Sequence, residues 1–134
     1  MKLLTAVEID RLTKNGETSR DSVEGIDHAP VAKLFTPDAG CTWLLSEIDP
    51  DNADIAFGLC DLGFDCPELG SVSLSEIASV RGKLGLPVER DLSFVAEYPL
   101  SVYAEAAREA GGFIESREAL DEAAEAIKAR DGGG

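Results

Sequence analysis

No lysine or arginine occurs between Lys33 and Arg81, yet that stretch holds nine carboxylates: Asp38, Glu47, Asp49, Asp51, Asp54, Asp61, Asp65, Glu68 and Glu76. A folded surface of one sign repels DNA, RNA and anionic membranes and attracts basic clefts. Over the whole chain of 134 residues, 26 acidic side chains stand against 12 basic ones, a formal charge of −14. With no basic patch to release counterions, direct nucleic-acid binding is disfavoured. Histidine is nearly absent, and the only one, His28, falls in a polar stretch expected to be a surface loop. That leaves a Ser–His or Cys–His nucleophilic pair without a well-placed base. Cysteine is scarce as well: Cys41, Cys60 and Cys66 make an odd count, which suits reduced thiols better than a disulfide framework. No run reaches the roughly 18 apolar residues of a membrane span. Glu8 and Asp10 interrupt the start before an apolar leader core can form. The expectation is a cytoplasmic chain with no membrane contact.

What is present suffices for one folded domain. The length is that of a single domain, and 44% apolar residues can fill a core. The acidic stretch also contains Trp43 and the most strand-like segments, so it should be folded rather than a loose tail. Thr5 and Glu8 form a capping box, with Leu4 and Ile9 placed as its hydrophobic staple. A helix over residues 5–14 follows, with Ile9 and Leu12 as its buried stripe and Asn15-Gly16 as its left-handed stop. Residues 16–29 read as a loop.

The pattern then switches to short apolar runs at residues 31–36, 41–48 and 55–59, bounded by Thr36-Pro37-Asp38-Ala39-Gly40 and Asp49-Pro50-Asp51-Asn52-Ala53-Asp54. Links this short dictate an antiparallel meander, because parallel pairing needs a crossover of a dozen or more residues. A fourth strand is expected over residues 68–72. Ser73 with Glu76, and Val72 with Ile77, then repeat the box-and-staple signature for a short helix ending near Gly82. Residues 92–95 are a further strand candidate. After Pro99 a helix is expected with Ser101 as cap, Tyr103, Ala106, Ala107 and Ala110 on one face, and Gly111-Gly112 as its end. A last helix from Ser116 carries the stripe Leu120, Ala123, Ala124 and Ile127, with its acids early and Lys128 and Arg130 late, as the helix dipole prefers. The closing Gly132-Gly133-Gly134 should fray. The fold class implied is α+β: a small antiparallel sheet of three to five strands, covered on its apolar face by helices at 5–14 and 73–81. The division expected is residues 1–98 as the α+β domain and 99–134 as a helical extension packed at one edge or projecting as an arm.

Candidate chemistry is thin. Asp49, Asp51 and Asp54 share one turn, but a calcium loop needs glycine at its sixth position and glutamate at its twelfth. Here those positions are Asp54 and Cys60, so a solvated hairpin turn is the simpler reading. His28 and the three cysteines make four soft ligands without the close pair spacing of a zinc knuckle. Cys41 and Cys60 lie in apolar strands, where cysteine acts as a small hydrophobe. Gly82-Lys83-Leu84-Gly85 lacks the pattern of a phosphate-binding loop. No metal or cofactor is expected. Glu89-Arg90-Asp91 reads as an Arg organising a loop through charge-assisted hydrogen bonds, or as the rim of a recognition surface.

Several blocks together carry a resemblance. They are Lys33-Leu34-Phe35-Thr36-Pro37, Thr42-Trp43, Glu47-Ile48-Asp49, Phe57-Gly58-Leu59, Glu68 through Ile77, and Gly85-Leu86-Pro87-Val88-Glu89-Arg90-Asp91-Leu92-Ser93-Phe94. The chain resembles the small bacterial family labelled domain of unknown function 2958, over roughly residues 1–98, and the last block is the most specific. The resemblance implies an accessory protein of plasmids, integrated elements or phages, often near antirestriction genes. It carries over no catalytic residue, and cysteine is not required by its pattern at 60 and 66.

The leading expectation is therefore a non-enzymatic acidic protein of a mobile element that inhibits a host nucleic-acid defence protein, of anti-CRISPR or antirestriction type. Its partner would be a basic protein surface. Strand residues two apart repeat every ~6.5–7 Å, near the spacing of phosphates along one strand, and Glu47 and Asp49 share a face by this rule. The partner-binding residues expected are Asp38, Glu47, Asp49, Asp51, Asp54, Asp61, Asp65, Glu68, Glu89, Arg90 and Asp91. The alternatives are an accessory binding module for element maintenance or transfer, and a metal-assisted hydrolase built on clustered carboxylates between Asp49 and Glu68.

Overall fold

In the computed structural model, which describes residues 3–132, the Thr5–Glu8 capping box closes the start of α1 (Ala6–Arg20). The Thr5 hydroxyl accepts from Glu8 N at 3.1 Å, and Glu8 accepts from Thr5 N at 2.8 Å. The helix does not stop at Asn15-Gly16 but runs on to Arg20. Gly16 is there for close approach: a Cβ on it would lie 1.9 Å from the Ile48 carbonyl oxygen. Ile9 is 43% exposed and does not belong to the buried stripe. The inward face is instead Leu12, Asn15, Gly16 and Ser19, a mostly polar set that seats on a strand by hydrogen bonds as well as packing.

The meander follows as β1 (Ala32–Phe35), β2 (Thr42–Ile48), β3 (Ile55–Asp61) and β4 (Glu68–Ser73), all antiparallel. β4 leads into α2 (Leu74–Ser79), and a two-residue β5 (Glu89–Arg90) pairs with β1. The sheet order is β4-β3-β2-β1-β5, so the fold is α+β with a five-stranded antiparallel sheet. Residues 92–95, a strand candidate by composition, form no strand. Asp91 turns the chain there by accepting Ser93 N at 2.9 Å, and Leu92 and Val95 point outward at 83% and 80% exposure. In β2 the register slips between Leu45 and Glu47, and the displaced Ser46 carbonyl accepts from the Asn15 amide at 2.9 Å.

Both faces of the sheet are covered. Trp43, Leu45, Ile48, Leu34 and Ala56 pack with Leu4 and Leu12 of the α1 region and Ile77 of α2. Leu44 and Leu59 point the other way and pack under α3 (Leu100–Ala110) and α4 (Arg117–Gly132). The two C-terminal helices are thus neither an edge decoration nor a projecting arm. They bury the second face, which explains why Trp43-Leu44-Leu45 is apolar without alternation. Pro99, not Ser101, is the N-cap of α3, and no side chain closes that end. Ser101 lies inside the first turn and is held from outside by Asp27, which accepts both its N–H (3.1 Å) and its hydroxyl. Tyr103, Ala106 and Ala107 are buried as expected, whereas Ala110 is exposed. Gly111 ends the helix in the left-handed conformation, φ 78°. Leu120 and Ala123 of α4 are buried and Ala124 and Ile127 pack against the same core. Gly132 is the last residue of α4, while Gly133 and Gly134, expected to fray, lie outside the described residues.

Candidate interaction surface

In a meander, successive turns fall at opposite ends of the sheet, and this divides the acidic residues into two groups. At one end, the β2–β3 turn is self-organised. Asp49 accepts from Asp51 N at 2.8 Å and the Asn52 side chain accepts from Asp54 N at 3.1 Å. Asp54 is committed to structure. It accepts from Ser73 Oγ (2.6 Å), Ser75 N (2.8 Å) and Ser75 Oγ (3.0 Å), tying the turn to the start of α2. The Ser73 hydroxyl and Ser75 donors stabilise the charged form and hold the Asp54 carboxyl below the usual range. Glu47 is half-buried and accepts from Ser19 Oγ at 2.8 Å. Asp51 is open, its side chain 78% exposed, with Arg20 Nη1 3.4 Å away. Ser19, Arg20, Glu47, Asp49, Asp51 and Phe57 line a shallow groove of about 440 Å³ between α1 and this turn.

The other end gathers Asp38, Asp61, Asp65 and Glu68, with Glu89 and Asp91 beyond β1. Asp61 is only 7% exposed and accepts from Phe113 N (2.7 Å) and Gly63 N (2.9 Å). It ties the end of β3 to the α3–α4 connection and is not free to meet a partner. Asp38 accepts from Leu84 N at 2.6 Å and orders the loop before β5. Gly82 makes room for it, since a Cβ there would lie 1.7 Å from Asp38 Oδ1. Asp65 (φ 62°) and Glu68 are exposed around the β3–β4 turn.

The triplet at β5 splits by strand alternation. Arg90 turns toward α1, where Nη1 donates to the Leu3 carbonyl at 3.2 Å and Nε lies 3.6 Å from Glu8 Oε1. Asp91 points to the opposite face, 3.3 Å from Lys33 Nζ, which also pairs with Glu115 at 3.0 Å and sits 5.0 Å from the centre of the Phe113 ring. The Ser93 backbone donor and the nearby Lys33 hold the Asp91 carboxyl below its ordinary range. Arg90 and Asp91 therefore organise the scaffold in two directions, and Glu89 alone of the three is exposed.

β2 spans seven residues, so the two ends stand roughly 20 Å apart. With a Debye length of about 10 Å at 0.1 M salt, they act as separate electrostatic features rather than one patch. The exposed acids are Asp49, Glu76 and Asp51, the last paired with Arg20, at one end and Asp65, Glu68 and Glu89 at the other. Arg81, which closes the base-free stretch, donates to its own helix end, at Ala78 O (3.0 Å) and Val80 O (2.8 Å).

Among the described residues, no group of three or more His, Cys, Asp or Glu side chains is placed to hold a metal ion. His28 lies against α1, with Nε2 3.0 Å from Thr18 Oγ1 and 3.1 Å from the Asn15 carbonyl. Burial pushes the Cys60 thiol up, away from the reactive thiolate. No described helix is long and apolar enough to cross a membrane.

Charge counting misses the apolar side chains beside the open acids. Leu62 (48% exposed), Phe64 (78%) and Leu69 (42%) flank Asp65 and Glu68. The available signal was Leu62 and Phe64 lying among Gly63, Asp65 and Pro67, where no core position is expected. A profile of the family described as protein of unknown function (DUF2958) matches residues 3–114, so the chain belongs to that family. The match runs beyond Pro99 to take in α3 and stops before α4. No curated protein and no solved structure matches the chain.

Proposed function

Taking membership of this family of unknown function as the starting point, we propose that the chain is a non-enzymatic docking protein that presents carboxylates to a basic surface of another protein. One observation carries the reading. β3, β4 and the turns around them hold no lysine or arginine, while Asp49, Asp51, Asp65 and Glu68 stay open at the two ends of the sheet. A basic cleft is attracted to such ends, and nucleic acid and anionic membranes are repelled. In its sharper form the target is a nucleic-acid-binding defence protein, of CRISPR or restriction type, and the chain acts in the cytoplasm for a mobile element. The open carboxylates then occupy positions that phosphates would take. Because Asp38, Asp54 and Asp61 are engaged by internal donors, the reading calls for two compact contacts rather than a long phosphate track. That division also favours the second reading, an accessory module for element maintenance or transfer that binds an element-encoded basic partner. A carboxylate-based hydrolase draws no comparable support, since Asp54 and Asp61 have their donors already.

The test is phage plating on cells that carry a restriction or CRISPR system and express the full chain. The expected result is higher plating efficiency, lost when Asp49→Asn, Asp51→Asn, Asp65→Asn and Glu68→Gln are combined. Asp54 and Asp61 are kept so that the fold survives. No rise in plating overturns the defence reading, and a rise that persists in the neutralised variant overturns the carboxylate reading.

A further inference from the structure

β4 is an outer strand, paired among the described residues with β3 on one side only. Its six residues, Glu68-Leu69-Gly70-Ser71-Val72-Ser73, keep unbroken register with β3. Outer strands are ordinarily blunted by lysine, proline, a bulge or extreme shortness. β5, the opposite outer strand, is only two residues long. β4 has none of these guards, so its free N–H and C=O groups form a template for another strand. Beside it lies a depression of about 360 Å³, formed by Cys60, Gly70 and Val72 with Leu62, Phe64 and Cys66 from the β3–β4 turn. A Cβ placed on Gly70 would meet nothing within 4 Å, so the face of the strand at Gly70 is open where the depression lies.

We propose that the β4 edge takes up an extended segment of a partner protein in which basic and apolar residues alternate, adding a sixth strand to the sheet. Charge complementarity fixes this occupant. The exposed Asp65 and Glu68 stand at the start of the edge and the exposed Glu76 at its end, and no base lies between Lys33 and Arg81 in the sequence. The ladder supplies main-chain hydrogen bonds, the depression accepts an apolar side chain, and the carboxylates select lysine or arginine. A second copy of the chain fits worse. Two-fold pairing about Gly70–Ser71 sets Glu68 of each copy opposite Ser73 of the other, whose hydroxyl bonds Asp54, and it brings together two chains of charge −14. The inference rests on the docking reading and assigns it an edge and a partner class.

The test is nuclear magnetic resonance titration of the labelled full chain with three blocked hexapeptides. One alternates lysine and valine, one has the same charge with a central proline, and one alternates glutamate and valine. The expected result is that the lysine–valine peptide shifts the amides of residues 68–73, and that the proline and glutamate peptides bind at least about tenfold more weakly, some 1.4 kcal/mol. Gly70→Lys should weaken binding by a similar factor with the rest of the spectrum unchanged, and Gly70→Ala should retain it. Equal binding of the lysine–valine and proline peptides, or shifts confined to residues 49–54, overturns strand addition and leaves charge docking standing. No binding by any peptide overturns the edge even if plating still rises. Shifts of 68–73 that grow with protein concentration alone overturn the basic partner in favour of a second copy.

Discussion

Gly16→Ala separates two opposed physical effects. On helix propensity alone the change should stabilise α1 by roughly 1 kcal/mol, since glycine in a helix interior is that much worse than alanine. The structure reverses the sign. The new methyl would sit 1.9 Å from Ile48 O, 3.0 Å from its carbonyl carbon and 3.2 Å from Pro50 Cδ. The first two atoms are sheet backbone and cannot rotate away, so α1 must lift from β2 by about 1 Å or more to restore ordinary contact. That lift strains the Asn15–Ser46 (2.9 Å) and Ser19–Glu47 (2.8 Å) hydrogen bonds. Overpacking of this kind costs about 1–3 kcal/mol, and each hydrogen bond lost adds about 1 kcal/mol. After subtracting the propensity gain, the expected net loss is about 2–4 kcal/mol. Trp43 is 4% exposed on β2 and the only tryptophan, so its fluorescence reports urea unfolding of this layer. With a urea slope of about 2 kcal/mol per molar, the midpoint should fall by about 1–2 M. Gly70→Ala, whose methyl meets nothing, is the control. A Gly16→Ala midpoint equal to or above that of the parent would refute the argument that this glycine exists for close approach.

Three further outcomes follow from the same contacts. Asp61→Ala removes the acceptor of Phe113 N and Gly63 N and should cost about 2–4 kcal/mol in urea unfolding for two orphaned donors; a loss under 1 kcal/mol would mean those donors find other partners. Asp54, Asp91 and Glu105 all have folded carboxyl values below their ordinary ones: the donors Ser73, Ser93 and Arg130 respectively favour the charged forms. Each therefore stabilises the fold above its unfolded value, 3.8 for the two aspartates and 4.5 for the glutamate, and loses that contribution as pH falls through the lower folded value. Thermal melts should fall steeply below about pH 4.5 and less steeply in Asp54→Asn; an identical slope would count against Asp54. Thiol titration at neutral pH should show Cys66, the exposed cysteine, reacting first and half-buried Cys60 late. Cys66→Ser should remove the fast phase, and a fast phase that persists in Cys66→Ser with Cys41→Ser would contradict the burial of Cys60.

Local signals in this sequence were readable where one residue type has one use. Thr5 and Glu8 form their capping box as expected, and Ser73 accepts from Glu76 N at 3.2 Å. Pro37, Pro50 and the aspartates around them mark the two turns that flank β2. Asn15-Gly16 has two uses, a left-handed stop or a close approach, and only the position of Ile48 decides between them. Two-sided burial of the sheet was present in the unbroken apolar run at Trp43-Leu44-Leu45 and in the run of small apolar residues along α3. The separation of the acids was also implicit, because a meander alternates its turns between ends. Which acids are already satisfied was not implicit. Asp61 and Phe113, like Asp38 and Leu84, are partners across long stretches of chain that no local pattern joins.

The most direct test of the docking account is affinity capture by the full chain from nuclease-treated host lysate, at low and at moderate salt. The neutralised variant of Asp49, Asp51, Asp65 and Glu68 is run in parallel. The account predicts capture of a basic protein that weakens as salt rises and disappears with the variant, because open carboxylates supply the attraction. Capture that is indifferent to both salt and neutralisation would contradict it.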